Sequence, residues 1–149
     1  MKTLSLKNGD LVLRGGNFVT IGGSAKVEQD LAIWSLFPYG STRFHPRFGA
    51  VFSNYIGQPT NATTQSMLRA EVVRIINNYQ QVQISRINST LLAGKKPPYK
   101  QTTLIKTVTS ITVTQSYDSF KILIRLVLVS GTLVTLTHTV SSNPSVTAS

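Results

Sequence analysis

The hydrophobic residues change period part-way along the chain, and that switch fixes the class of fold open to it. Leu68, Val72, Ile75 and Tyr79 fall at i, i+4, i+7 and i+11, the stripe of one helix face. The pattern predicts a helix from about Thr64 to Tyr79, with Asn77-Asn78 at its fraying end and Arg69 and Arg74 facing solvent or a partner. From residue 82 the alternation has a period of two. Val82, Ile84 and Ile87 suggest a first strand. Leu104 to Val113, Lys121 to Val129 and Leu133 to Val140 are rich in Val, Ile, Thr and Leu, a composition that favours strands. The predicted fold is therefore α+β, with N-terminal helices packed on one face of a mostly antiparallel C-terminal sheet.

Other elements follow from local signals. Ser24 is a plausible N-cap for a helix carrying Val27, Leu31 and Trp34 on one face, and Pro38 stops it. Trp34 reads as core. Pro46 suits the first turn of a short helix over residues 46 to 57. The first 23 residues read as short extended pieces joined at glycine turns, and no internal repeat is visible. Tyr117-Asp118-Ser119 and Ser130-Gly131-Thr132 supply turns, which makes the last three strands a meander. In Lys121 to Val129 the even positions enter the core, leaving Leu123, Val127 and Val129 on a second face. Residues 1–140 read as one domain and 141–149, SSNPSVTAS, as a flexible tail.

Fifteen Lys and Arg against five Asp and Glu give a net charge of +10. The basic residues are scattered singly, with Lys95-Lys96 the one adjacent pair, and no nucleic-acid-binding motif accompanies them. Acidic protein partners fit this distribution better than direct nucleic-acid binding. Cysteine is absent, so thiolate catalysis, disulfides and Cys-based zinc sites are excluded together. No apolar run reaches the ~20 residues a membrane helix needs, and the N-terminus lacks a signal-peptide core. No membrane role is expected.

Nor do the residues predict catalysis. Glycan hydrolysis needs two carboxylates in contrasting environments. The five acids, Asp10, Glu28, Asp30, Glu71 and Asp118, form no such pair, and Glu28 and Glu71 read as solvated or paired with basic neighbours. His45 reads as a packed turn residue and His138 as a core or interface histidine. Neither has metal-ligand spacing. No catalytic residue, cofactor site or metal site is assigned.

Residues 24–57 look built to dock. Arg43, Phe44, Arg47 and Phe48 form an Arg-aromatic cluster of the kind that dominates protein interfaces. The same region resembles the bacteriophage baseplate wedge proteins of the gene 25 and gene W type. In that family a Gln-Asp/Asn-containing helix leads into a Gly-Glu-Arg-x-x-x-Pro-x-x-Gly turn. Here Gln29-Asp30 stands in the helix, and Gly40, Pro46 and Gly49 keep the turn. Ser41 replaces the family's acid and Arg43 falls one place late. The family's Glu-Pro-Arg motif is missing, since the corresponding stretch reads Tyr79-Gln80-Gln81-Val82-Gln83-Ile84.

The resemblance implies a non-enzymatic virion component at the junction of baseplate and sheath in a contractile tail, assembled in the host cytoplasm. It would initiate the sheath by accepting strands on a sheet edge. The implied partners are the tail sheath protein, other wedge proteins and possibly tail tube proteins. The edge expected to receive the strands is the last one, with Leu133, Thr135, Thr137 and Thr139 as its contact residues. A basic cytoplasmic adaptor of the same fold, binding an acidic protein or nucleic acid, is the alternative reading.

Overall fold

The computed structural model describes residues 2–97, 100–116 and 118–141. Two helices and a three-stranded antiparallel sheet make up its body, preceded by a small ring of paired segments. The fold is α+β, as the change of period predicts.

The ring overturns the expectation of no repeat. Thr3–Leu4 (β1) pairs with Thr20–Ile21 (β6), Leu6–Lys7 (β2) with Asp10–Leu11 (β3), and Leu13–Arg14 (β4) with Asn17–Phe18 (β5). The register repeats every seven residues: Lys7↔Asp10 becomes Arg14↔Asn17, and Leu6↔Leu11 becomes Leu13↔Phe18. Between blades, three backbone bonds close a circle, from Ser5 N to Val19 O, Val12 N to Ser5 O, and Val19 N to Val12 O, at 2.7–3.0 Å. Asn8-Gly9 and Gly15-Gly16 all have positive φ, the condition of the tight I′ hairpin turn. Each strand is only two residues long, too short for an alternation to register as a repeat.

Helix α1, Gly23–Leu36, begins one residue before the predicted cap, and Gly22 stands at its N-cap with no side-chain bond. Its Gln29 joins ring to body: the side-chain oxygen accepts Leu6 N–H at 2.8 Å, and the amide donates to Leu4 O at 2.9 Å. Asp30 accepts from Tyr79 Oη at 2.8 Å and pairs with Lys26, linking α1 to the next helix.

That helix, α2, runs from Ala62 to Leu92. Asn61 caps it, accepting Thr64 N–H at 2.8 Å. The predicted end at Tyr79 and the predicted strand over Val82, Ile84 and Ile87 are both wrong. The buried stripe continues from Tyr79 through Gln83 to Ile87, each step four residues, and no Gly or Pro interrupts it. Gln83 is completely buried and sends its amide to Thr103 O, so a polar residue occupies a core position and hides the period. The short helix predicted over 46–57 is also absent. Residues 38–50 form an irregular turn, and only Phe52–Tyr55 makes a single 3₁₀ turn.

Ile105–Gln115 (β7), Ser119–Leu128 (β8) and Leu133–Ser141 (β9) form the meander in the order β7-β8-β9. Ile122, Ile124, Leu126 and Leu128 are buried, as the alternation predicts. They join Val27 and Leu31 of α1 and Leu68, Val72, Ile75, Ile76 and Tyr79 of α2 in a shared core. The opposite face carries Lys121, Arg125 and Thr137 exposed, with Leu123 and Val127 half-buried. The tail predicted over 141–149 begins one residue too early, since Ser141 ends β9, and residues 142–149 lie outside the described residues.

Candidate functional site

Two surfaces hold the residues singled out for docking. The first is the turn between α1 and α2. Pro38 ends α1, and the chain then returns on itself: Pro38 and Ala50 form a parallel bridge, Ala50 N–H donates to Phe37 O at 2.8 Å, and Tyr39 N–H donates to Ala50 O at 3.0 Å. Gly49 sits at the closest approach with φ +99°.

The turn is bolted down from beneath. Arg74 donates from Nη2 to Gly49 O at 2.9 Å, and from Nε to Glu71 Oε2 at 2.7 Å. Its guanidinium lies 4.4 Å from the centre of the Tyr39 ring. Glu71, almost wholly buried, also accepts Val51 N–H at 3.0 Å. Hydrogen bonding to Glu71 raises the Arg74 pKa above its ordinary value, in spite of partial burial. Arg74 is thus an internal strut, where its position off the helical stripe had suggested a solvent or partner contact.

The four cluster residues divide between two roles. Phe48 turns inward, its ring 4.8 Å from Trp34 and 5.5 Å from Phe37, while Trp34 meets Tyr79 at 5.7 Å. Arg43, Phe44 and Arg47 are exposed, Phe44 by 85%, and the Arg47 carbonyl is held by Asn78. His45 is exposed as well and serves through its backbone, which corrects its reading as a packed residue. The result is a hydrogen-bonded turn presenting two guanidinium groups and the bare Phe44 ring, with the Phe37 and Tyr39 rings about half exposed beside it.

The second surface is β9. Leu128 N–H donates to Thr132 O at 3.0 Å, one step beyond Val127↔Leu133, the last pair of the β8–β9 register. Hydrogen-bonded and non-bonded pairs alternate from that point along an antiparallel ladder. Leu126↔Val134, Ile124↔Leu136 and Ile122↔His138 are therefore the bonded pairs. The backbone groups of Leu133, Thr135, Thr137 and Thr139 point away from β8. No described strand pairs with that side, and the same four side chains are exposed on the outer face of the sheet.

A groove of about 310 Å³ runs beside the end of β9, between Leu36 at the end of α1, Pro38 of the turn and His138 to Ser141. His138 lies on its wall with its ring 5.6 Å from Phe52. Burial lowers its pKa from 6.5 to about 4. The unfolded chain takes up this proton and the folded chain does not, so stability is complete above pH 6.5 and falls as pH drops towards 4. The loss amounts to about 2–3 kcal/mol. His138→Phe should remove that slope in unfolding titrations between pH 7 and 4; an unchanged slope would assign it elsewhere.

The sequence reading missed the Glu71–Arg74 strut and the Gln29 clamp. An i, i+3 acid-base pair was visible for the first, but nothing in the sequence distinguishes it from a solvated pair.

A solved structure shares this architecture. A candidate tail lysozyme from Geobacter sulfurreducens superimposes with a TM-score of 0.52, covering 92% of this chain and 100% of that one at 16% identity. The likeness is one of fold. No family model and no curated protein matches the sequence.

Proposed function

We propose that this chain is a structural baseplate component of a contractile phage tail, seated where baseplate meets sheath, and that β9 starts the sheath by accepting a strand. The observation that carries the reading is the row of outward backbone groups at Thr135, Thr137 and Thr139 on an edge strand of a fold shared with the candidate tail lysozyme. Such an edge binds an extended segment through main-chain hydrogen bonds, with side-chain alternation setting register. The neighbouring groove offers room for side chains of the added strand. Arg43, Phe44 and Arg47 form the matching contact with a neighbouring wedge protein, suited to a carboxylate or an aromatic face.

A lysozyme activity, suggested by the name of the structural relative, finds little support in the acids. Asp30 is engaged by Lys26 and Tyr79, and Glu71 by Arg74 and Val51 N–H. Both are used to join elements, and Ser41 stands in the turn where the resembled family carries its acid.

Proline removes one N–H donor and is tolerated on an edge strand where that N–H faces outward. The Thr135→Pro/Thr137→Pro variant should fold with its hairpin intact and fail to nucleate sheath polymers in sedimentation assays with purified sheath protein. Normal polymerisation by this variant would exclude β9 as the acceptor. Peptidoglycan turnover that disappears in Glu71→Gln, with the fold retained, would replace the structural reading by an enzymatic one.

A further inference from the structure

The outer face of the sheet carries a pattern that neither the β9 edge nor the turn accounts for. Along the central strand β8 this face presents Lys121, Leu123, Arg125 and Val127 in a single row, the two cations exposed and the two apolar residues half-buried. Cross-strand partners share a face, so the register fixes what stands beside them. Lys121 lies between Thr114 and Thr139, and Arg125 between Ser110 and Thr135. Val127 pairs with Leu133, which is 58% exposed. Every sheet residue that joins the core belongs to the opposite face, so neither helix covers this one. Its cations are uncompensated. None of the three strands contains Asp or Glu. Asp118, just before β8, makes no ion pair with Lys121, and neither Lys121 nor Arg125 has an ion-pair partner among the described residues.

Charge and spacing together identify an occupant. At ~3.3 Å per residue, Lys121 and Arg125 stand ~13 Å apart with Leu123 midway. In a helix rising ~1.5 Å per residue, acids at i and i+8 around an apolar residue at i+4 span ~12 Å. Three strands ~4.8 Å apart make a face ~10 Å wide, about one helix diameter. A helix also satisfies its own backbone, whereas an extended segment laid on a sheet face finds no main-chain partners there. Nucleic acid fits less well. Phe120 and His138, the aromatic rings of the three strands, belong to the opposite face, so nothing here stacks a base, and two cations are few for a phosphate backbone. A second copy of the chain does not supply the acids either. On α1, Asp30 is engaged by Lys26 and Tyr79, which leaves Glu28, and the one acid of α2 is the buried Glu71.

We propose that the outer face of the sheet docks an acidic amphipathic helix of a partner protein, with its carboxylates on Lys121 and Arg125 and its apolar residues against Leu123 and Val127. The contact is made by side chains of the central strand, and it does not depend on strand addition at the β9 edge.

The test is an NMR titration of the full chain with two synthetic helical peptides, one carrying Glu and Leu on one face at this spacing and one with Lys in place of Glu. The Glu peptide should shift signals of Lys121, Leu123, Arg125 and Val127 and of their cross-strand neighbours, and the Lys peptide should not. Lys121→Gln/Arg125→Gln should weaken that binding about tenfold. Lys121→Glu/Arg125→Glu should transfer the preference to the Lys peptide while the amide pattern of the sheet is retained. Several results would overturn the proposal: no response on the outer face, shifts centred elsewhere, equal response to both peptides, or Glu-peptide binding that survives the Gln pair. So would displacement of the Glu peptide from these residues by oligothymidylate at equal concentration, which would assign the face to nucleic acid.

Discussion

Replacing Glu71 by Ala should lower the unfolding free energy by about 3 kcal/mol, the lower end of the range for breaking a buried ion pair by removing one partner. The lower end applies because the Arg74 side chain retains 31% exposure against 7% for Glu71, and water can partly solvate the abandoned cation. The cost has three sources. Arg74 loses its carboxylate, Val51 N–H loses its acceptor, and the guanidinium no longer has a fixed position from which to hold Gly49 O. Thermal unfolding should shift down by roughly 10 °C for a chain of this size. Glu71→Ala/Arg74→Ala should be less damaging than the sum of the single changes, because each residue's value depends on the other. Additive losses in that cycle would mean that the two side chains act independently.

Gly49→Ala should be of similar or greater severity. A Cβ there would lie 2.5 Å from Pro38 O and 2.6 Å from Phe37 O, and both are backbone atoms that cannot rotate aside. The φ of +99° adds strain of about 1–3 kcal/mol for any L side chain. The turn must open to admit the methyl group, breaking the bonds between Phe37, Tyr39 and Ala50. Gly57→Ala is the control: its φ of +78° is also positive, yet nothing lies within 4 Å of the added atom. That variant should lose only about 1–2 kcal/mol. Equal melting temperatures for the two would show that conformation alone, and not the close approach, determines the role of Gly49.

The parts of the fold legible from sequence were those in which one physical rule acts alone. Ile122, Ile124, Leu126 and Leu128 alternate with residues facing outward, and the whole meander follows from that alternation and the Ser130-Gly131-Thr132 turn. Legibility failed where a side chain breaks its own rule. Gln83 sits in the core as a hydrogen-bonded polar residue, so the helix reads as finished at Tyr79 when it continues to Leu92. The heptads escaped notice because each strand is two residues long and Ile21 breaks the match of Lys7 with Arg14, while backbone bonding sets the ring. Within the turn, Phe44 and Phe48 look alike in sequence. Only the packing of Trp34 and Phe37 decides that Phe48 supports the turn and Phe44 is displayed. The outward register of β9 is likewise a property of its pairing with β8, beyond what composition records.

Residue-resolved amide hydrogen exchange in β9, measured for the isolated chain and for the chain assembled with sheath protein, tests the central claim most directly. In the isolated chain Val134, Leu136 and His138 should exchange slowly, held by β8, while Thr135, Thr137 and Thr139 exchange fast. On sheath assembly the three threonine amides should become protected together and the other three should change little. Threonine amides that remain fast in the assembled state, or that are already slow in the isolated chain, would contradict strand addition at this edge.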